Sequence, residues 1–137
     1  MPLAALDTNV LLRLIVRDPP EQYKRARQLL ATQRARFCAS DYVFIELVFA
    51  LDRYYGLSRD QIVEAILGVI ALDTVECHSI TLASAIEFWR THPKLSFEDC
   101  LMAENAQFHD AIPLWTFDRK LANQHPVAQE VPGLADT

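Results

Sequence analysis

Short apolar runs alternate along this chain with longer stretches in which apolar residues recur every three or four positions. Leu3 to Leu6 is a compact apolar run ended by Asp7-Thr8-Asn9, which predicts a buried strand feeding a turn and then a helix from about Asn9 to Arg17. Asp18-Pro19-Pro20 stops that helix, and Pro20 suits the first turn of a second one with Tyr23, Ala26, Leu29 and Leu30 on one face. Arg36 to Ser40 reads as a second strand, after which Ser40 or Asp41 caps a helix running to about Tyr55, closed by Gly56. Beyond Ser58-Arg59-Asp60-Gln61, helical spacing returns at Ile62, Ala65, Ile66, Val69 and Ile70. Thr74 to Cys77 is a third strand and Ser79 to about Thr91 another helix. Ser96-Phe97-Glu98-Asp99 opens a helix to about His109, and Ile112 to Thr116 is a fourth strand, closely followed by Asp118. The tail from about residue 123 holds Pro126, Pro132 and Gly133 and is expected to be irregular, with one short strand at Ala128 to Val131.

Short apolar strands alternating with amphipathic helices imply an α/β protein: a parallel sheet of four or five strands, covered by helices on both faces. At 137 residues the chain is the size of one domain, expected to span residues 1–137, and such a chain buries about two thirds of its unfolded surface. In parallel sheets ligands sit outside the carboxyl ends of the strands. Asp7 and Asp118 fall just beyond predicted strand ends and so acquire interest.

Composition narrows the class. With 51% hydrophobic residues, three glycines and no low-complexity tract, the chain is neither disordered nor fibrous. Cys38, Cys77 and Cys100 are odd in number, widely separated and lack C-x-x-C spacing, so neither a disulfide framework nor a zinc site is suggested, and a reducing cytoplasm is the expected setting. The start has no basic n-region, and Arg13 interrupts the run from Val10 to Val16, so neither export nor a membrane span is expected.

The net charge of −5 argues against nucleic acid until its distribution is considered. Seven of the 13 basic residues, Arg13, Arg17, Lys24, Arg25, Arg27, Arg34 and Arg36, precede residue 37, against three acids, so that segment is net +4 and the remainder −9. A basic third on an acidic chain is compatible with RNA on one face, or with nothing more than a solvated helix face. Arg13, Arg17, Lys24 and Arg25 are the candidates for phosphate contacts.

Four acids are placed where chemistry could use them: Asp7, Glu46 in the third helix, Asp99 in the first turn of a later helix, and Asp118. Each has an ordinary alternative. Asp7 and Asp118 could cap the helical segments that follow them, and Ser96 and Asp99 could form a variant capping box. Glu46 stands alone among apolar residues from Val43 to Leu51, so it lies on an exposed stripe with Arg53 or faces something cationic. Jointly, strand-end and helix-start acids gathered at one sheet edge would repel each other unless cations were bound, and oxygen-only ligands select Mg²⁺ or Mn²⁺. Thr8, Asn9 and Thr116 are suited to hydrogen bonds that orient such carboxylates, or to ordinary turn capping. His78, His92, His109 and His125 show no ligand spacing and are expected to be surface or structural residues. Phosphodiester hydrolysis is the chemistry such a site serves best. There is no Walker A or G-x-G-x-x-G sequence, and a haloacid-dehalogenase-like phosphatase would need a second aspartate where Asn9 stands.

With these pieces in order, the chain resembles a PIN domain: Leu6-Asp7-Thr8-Asn9-Val10-Leu11-Leu12, Ile45-Glu46-Leu47, Phe97-Glu98-Asp99-Cys100-Leu101-Met102-Ala103 and Thr116-Phe117-Asp118-Arg119-Lys120-Leu121. The resemblance implies a three-layer α/β/α sandwich and a Mg²⁺- or Mn²⁺-dependent endoribonuclease with Asp7, Glu46, Asp99 and Asp118 as catalytic and metal-binding acids. At this length the chain is similar to the VapC toxins of toxin-antitoxin pairs, which implies a small protein antitoxin and a homodimer. Where some members carry a further acid two or three residues beyond the position of Asp118, this chain has Lys120 and Leu121, which bears on a second metal ion. Leu12, Ile15, Leu30, Ile62 and Ile66 belong to the core or face a partner. The rival expectation is a catalytically inactive PIN-like scaffold that binds RNA or docks a protein.

Overall fold

The computed structural model describes residues 3–32 and 36–135, so Arg34 of the basic cluster lies outside the described residues. The chain divides into two compact units, Met1–Ala83 and Ser84–Thr137.

The first unit runs β1 (Leu3–Ala5), α1 (Thr8–Val16), α2 (Pro20–Thr32), β2 (Arg36–Cys38), α3 (Asp41–Arg53), α4 (Arg59–Ile70), β3 (Val75–Glu76) and the start of α5 (Ser79–Thr91). Its sheet has the order β1-β2-β3, all parallel, with Leu3 opposite Arg36 and Phe37 opposite Val75. Helix α3 forms the centre of this unit: its face of Phe44, Leu47 and Leu51 is fully buried, α1 and α4 pack against it, and they bring Leu11, Ile62 and Ile66 to the same core. Leu12 is likewise buried, whereas Ile15 and Leu30 are only half-buried.

Local sequence sets the boundaries. The Ser58 hydroxyl accepts from Gln61 N–H (3.1 Å) while the Gln61 side chain accepts from Ser58 N–H (2.9 Å), satisfying two otherwise unpaired donors at the start of α4. Gly56 adopts φ 61°, the left-handed conformation that lets Leu57 N–H reach back to Leu51 O (3.1 Å) and close α3. Ser40 caps α3 through Val43 N–H, so β2 ends at Cys38, earlier than the apolar run suggests. The expected burial of β1 is overturned. Leu3, Ala4 and Ala5 are all exposed, and only Leu6, whose N–H meets Cys38 O, turns into the core. Beside it, Arg36 grips Glu76 with two bonds (2.6 and 2.9 Å). That guanidinium contact holds the Glu76 carboxyl below the usual carboxylate range, and it occupies one of the basic side chains of the N-terminal cluster.

The second unit holds the rest of α5, then α6 (Phe97–Phe108), β4 (Leu114–Thr116), α7 (Arg119–Gln124) and β5 (Ala128–Glu130). Strands β4 and β5 pair in parallel, Leu114 opposite Ala128, with α7 as the connection. The tail therefore carries the expected short strand. His125 explains how it is held: its side chain is 1% exposed, Nδ1 accepts from Val127 N–H (3.2 Å), and Nε2 faces Glu104 Oε1 (3.3 Å). His92 stacks on Phe88 at 3.8 Å between ring centroids, and His78 pairs with Asp41 (3.1 Å). These three histidines are structural or surface groups, as expected. The α/β class with parallel strands is thus present, with five strands among the described residues, in a three-stranded and a two-stranded sheet.

Candidate active site

In the first unit, the chain leaves β1 at Leu6 and enters α1 at Thr8, so Asp7 occupies the N-cap. Its Oδ1 accepts from Thr8 N–H at 2.7 Å, at the end of the helix where the backbone dipole favours negative charge. Thr8 itself is 9% exposed, and its hydroxyl donates to Glu46 Oε1 at 2.7 Å across the α1–α3 packing. One buried threonine therefore touches both acids, which lie 39 residues apart in sequence and are both exposed to solvent. The capping bond to Asp7 falls on Oδ1.

Asp7, Glu46 and Thr8 lie on an open cleft of about 610 Å³, together with Asn9, Arg13 and the rings of Tyr42, Phe49, Tyr54 and Tyr55. Glu46 is exposed, as one of the two sequence alternatives had it, but its partner is Thr8. Arg53 instead lies over the Phe49 ring, 5.3 Å from its centroid. Arg13 Nη1 donates to Asp18 O (2.5 Å) and Tyr55 Oη (3.3 Å), while its Nε is enclosed and finds no hydrogen-bond partner among the described residues. On the other side of α1, Asn9, Arg13, Gln22 and Arg25 line a neighbouring cleft of about 400 Å³. Of the remaining phosphate-contact candidates, Arg17 is stacked over Tyr23 at 5.2 Å, and Lys24 is exposed on α2 and lines neither cleft.

The second unit places Asp99 in the first turn of α6, its N–H capped by Ser96 Oγ (3.1 Å). Asp118 caps α7, its Oδ1 accepting from Lys120 N–H (2.9 Å) and Leu121 N–H (3.3 Å). Thr116 Oγ1 accepts from Asp118 N–H (2.9 Å), so it braces the turn that carries the carboxylate rather than the carboxylate itself. Within each unit, the described residues gather no group of three or more His, Cys, Asp or Glu side chains able to hold a metal ion. The pair in the first unit still fits a hard cation: the acids lining its cleft offer oxygen alone, no His or Cys stands among the described lining residues, and Mg²⁺ commonly takes only one or two carboxylates from a protein.

The aromatic wall is what sequence reasoning missed. Tyr42, Glu46, Phe49 and Arg53 are spaced i, i+4, i+7 and i+11, which puts all four on one stripe of α3, and this spacing was the available signal.

A carboxylate at the end of a parallel strand, tied to a second carboxylate and flanked by a guanidinium, is a layout that suits phosphodiester-cleaving domains. The family model of the PIN domain matches residues 4–124, and the chain belongs to the PIN-domain family. PIN domains are commonly nucleases that bind RNA and generally use divalent metals, which supports a general nuclease function here. No curated protein and no solved structure matches the chain. No helix among the described residues is long and apolar enough to cross a membrane.

Proposed function

We propose that the protein is a Mg²⁺- or Mn²⁺-dependent endoribonuclease of the cytoplasm, a single PIN domain acting as the toxin of a toxin-antitoxin pair. The observation that carries this reading is the Thr8 bridge, which holds the Glu46 carboxylate beside the Asp7 cap on an open cleft. Asp7 and Glu46 would hold the cation, and Asp99 and Asp118, by their motif positions, would belong to the same acidic set. When bound, the cation lowers the pKa of a water and offsets the charge gathering on the phosphate. The chain's own part is to bind, orient and balance charge. Thr8 fixes the Glu46 oxygen, the α1 N-terminus holds Asp7 in one orientation, and Arg13 meets the phosphate of the adjoining nucleotide. One carboxylate accepts a proton from the attacking water as its oxygen bonds to phosphorus, and the bond to the leaving ribose oxygen breaks, that oxygen taking a proton from solvent to leave as a hydroxyl. A homodimer and a small antitoxin complete the proposal, with support from Ile15 and Leu30, half-buried on an open groove of about 420 Å³ between helices of the first unit.

Cleavage of a panel of structured RNAs by the purified, inhibitor-free protein is expected with Mg²⁺ and with Mn²⁺ and is expected to vanish in EDTA. Binding of metal and RNA without any cutting would replace the enzyme with a scaffold. Thr8→Val, which keeps the shape but not the donated proton, should lower the initial rate roughly 10- to 100-fold, the range seen when a group orienting a metal ligand is lost. Thr8→Ser should retain most of the activity. Equal rates for Thr8→Val and wild type would remove the bridge from the mechanism.

A further inference from the structure

The stripe on α3 sets Glu46 between two exposed rings: Tyr42 is 66% and Phe49 50% exposed, one turn before and one turn after it. Tyr54, at the C-cap of the same helix, is 75% exposed and meets Phe49 edge-on at 5.9 Å. All three rings line the cleft that holds Asp7 and Glu46. Large rings left this open in a chain that buries Phe44, Leu47 and Leu51 on the opposite side of the helix are not core residues with nowhere to go. Their setting also disfavours an apolar protein partner, because covering the rings would strip water from two neighbouring carboxylates without supplying a positive charge. Arg13 adds a positive charge at the same cleft, its Nη1 held by Asp18 O and Tyr55 Oη.

We propose that Tyr42 and Tyr54 form two base-stacking positions along one strand of RNA, which select unpaired nucleotides near the scissile bond while Arg13 takes a phosphate between them. The proposal rests on the RNA-cleaving reading above and adds the residues that would set its specificity. Every base has a π-face, so stacking is sequence-tolerant, but in a duplex those faces are already covered by neighbouring bases. A stacking wall therefore discriminates by pairing state. Phe49 serves chiefly to brace this wall, since Arg53 covers one of its faces and Tyr54 meets it edge-on.

The test compares Tyr42→Leu and Tyr54→Leu, which keep apolar bulk and remove the ring, with Tyr42→Phe and Tyr54→Phe, which keep the ring. Steady-state cleavage of a short unpaired RNA in Mg²⁺ should show KM raised about five-fold or more in each leucine variant with kcat little changed, and near wild-type KM in the phenylalanine variants. In an Asp7→Asn background, a 2-aminopurine placed in that RNA should be quenched on binding, and the leucine variants should abolish the quench. If the wild type cuts RNA but leucine variants leave both KM and quench unchanged, the stacking subsite is wrong and the nuclease stands. Should the wild type be an oligomer that the leucine variants dissociate without loss of RNA binding, the rings are a contact between copies and the proposal is likewise overturned. A wild type that neither binds nor cuts RNA removes the nuclease reading first, and the subsite with it.

Discussion

Asp7→Asn is expected to lower RNA cleavage at least about 100-fold while leaving the melting temperature nearly unchanged. Asparagine is as good an N-cap as aspartate, so the bond from Thr8 N–H and the start of α1 survive the substitution. What disappears is one negative charge at the carboxyl end of β1 and, on the proposed reading, one strong oxygen ligand. Loss of a group that merely orients a metal ligand costs up to about 100-fold, so loss of a ligand should reach or exceed that figure. Initial rates at saturating Mg²⁺, beside a thermal melt, separate the two effects. An asparagine variant that keeps more than about a tenth of the rate would take Asp7 out of the active site. A variant that is inactive only because it is unfolded would show it in the melt.

Phe44→Ala should destabilise the first unit by about 3–5 kcal/mol, the range for removing a fully buried phenylalanine. Phe44 is 0% exposed and lies on the face of α3 toward which α1 and α4 pack, so truncation leaves a cavity that several helices would have to move to fill. Against the roughly 5–15 kcal/mol by which small domains are stable, this is a large share of the margin. Urea unfolding followed by tryptophan-independent circular dichroism should show the midpoint falling with little change in slope. A loss below about 1 kcal/mol would mean that α3 is not the centre of its core. Because Glu46 rides on the same helix, residual activity should fall with the folded fraction.

The sequence was readable where a residue type has one local use. Gly56, past the end of α3, marks a boundary because backbone conformation leaves few alternatives there. Ser40 was readable as a cap, but the strand before it was drawn too long, since apolar letters do not say where the cap must turn the chain. Leu3 to Ala5 illustrate a different limit. An apolar run looks the same whether or not other elements cover its faces, and that covering is non-local: Leu3 to Ala5 are exposed while Val75 on β3 is buried. In the candidate site, the acids and Thr8 could be named from motif and spacing, while the Thr8–Glu46 bond depends on how α1 meets α3. The basic residues sort the same way: Arg13 and Arg25 face clefts, whereas Arg17 is engaged by Tyr23, and charge alone could not have separated them. Tyr42 and Tyr54 escaped notice because aromatic residues are ordinarily assigned to cores.

Asp7 has a further meaning for lineages. The cap at the start of α1 can be met by asparagine or serine almost as well as by aspartate, so the fold itself exerts little selection for a carboxylate at this position. Were cleavage no longer useful to the cell, drift would exchange the residue within a few substitutions at hardly any cost in foldedness. If Asp7 serves cleavage as proposed, the amino acid found at this one position across descendants of the same ancestor is a record of whether the chemistry is still under selection.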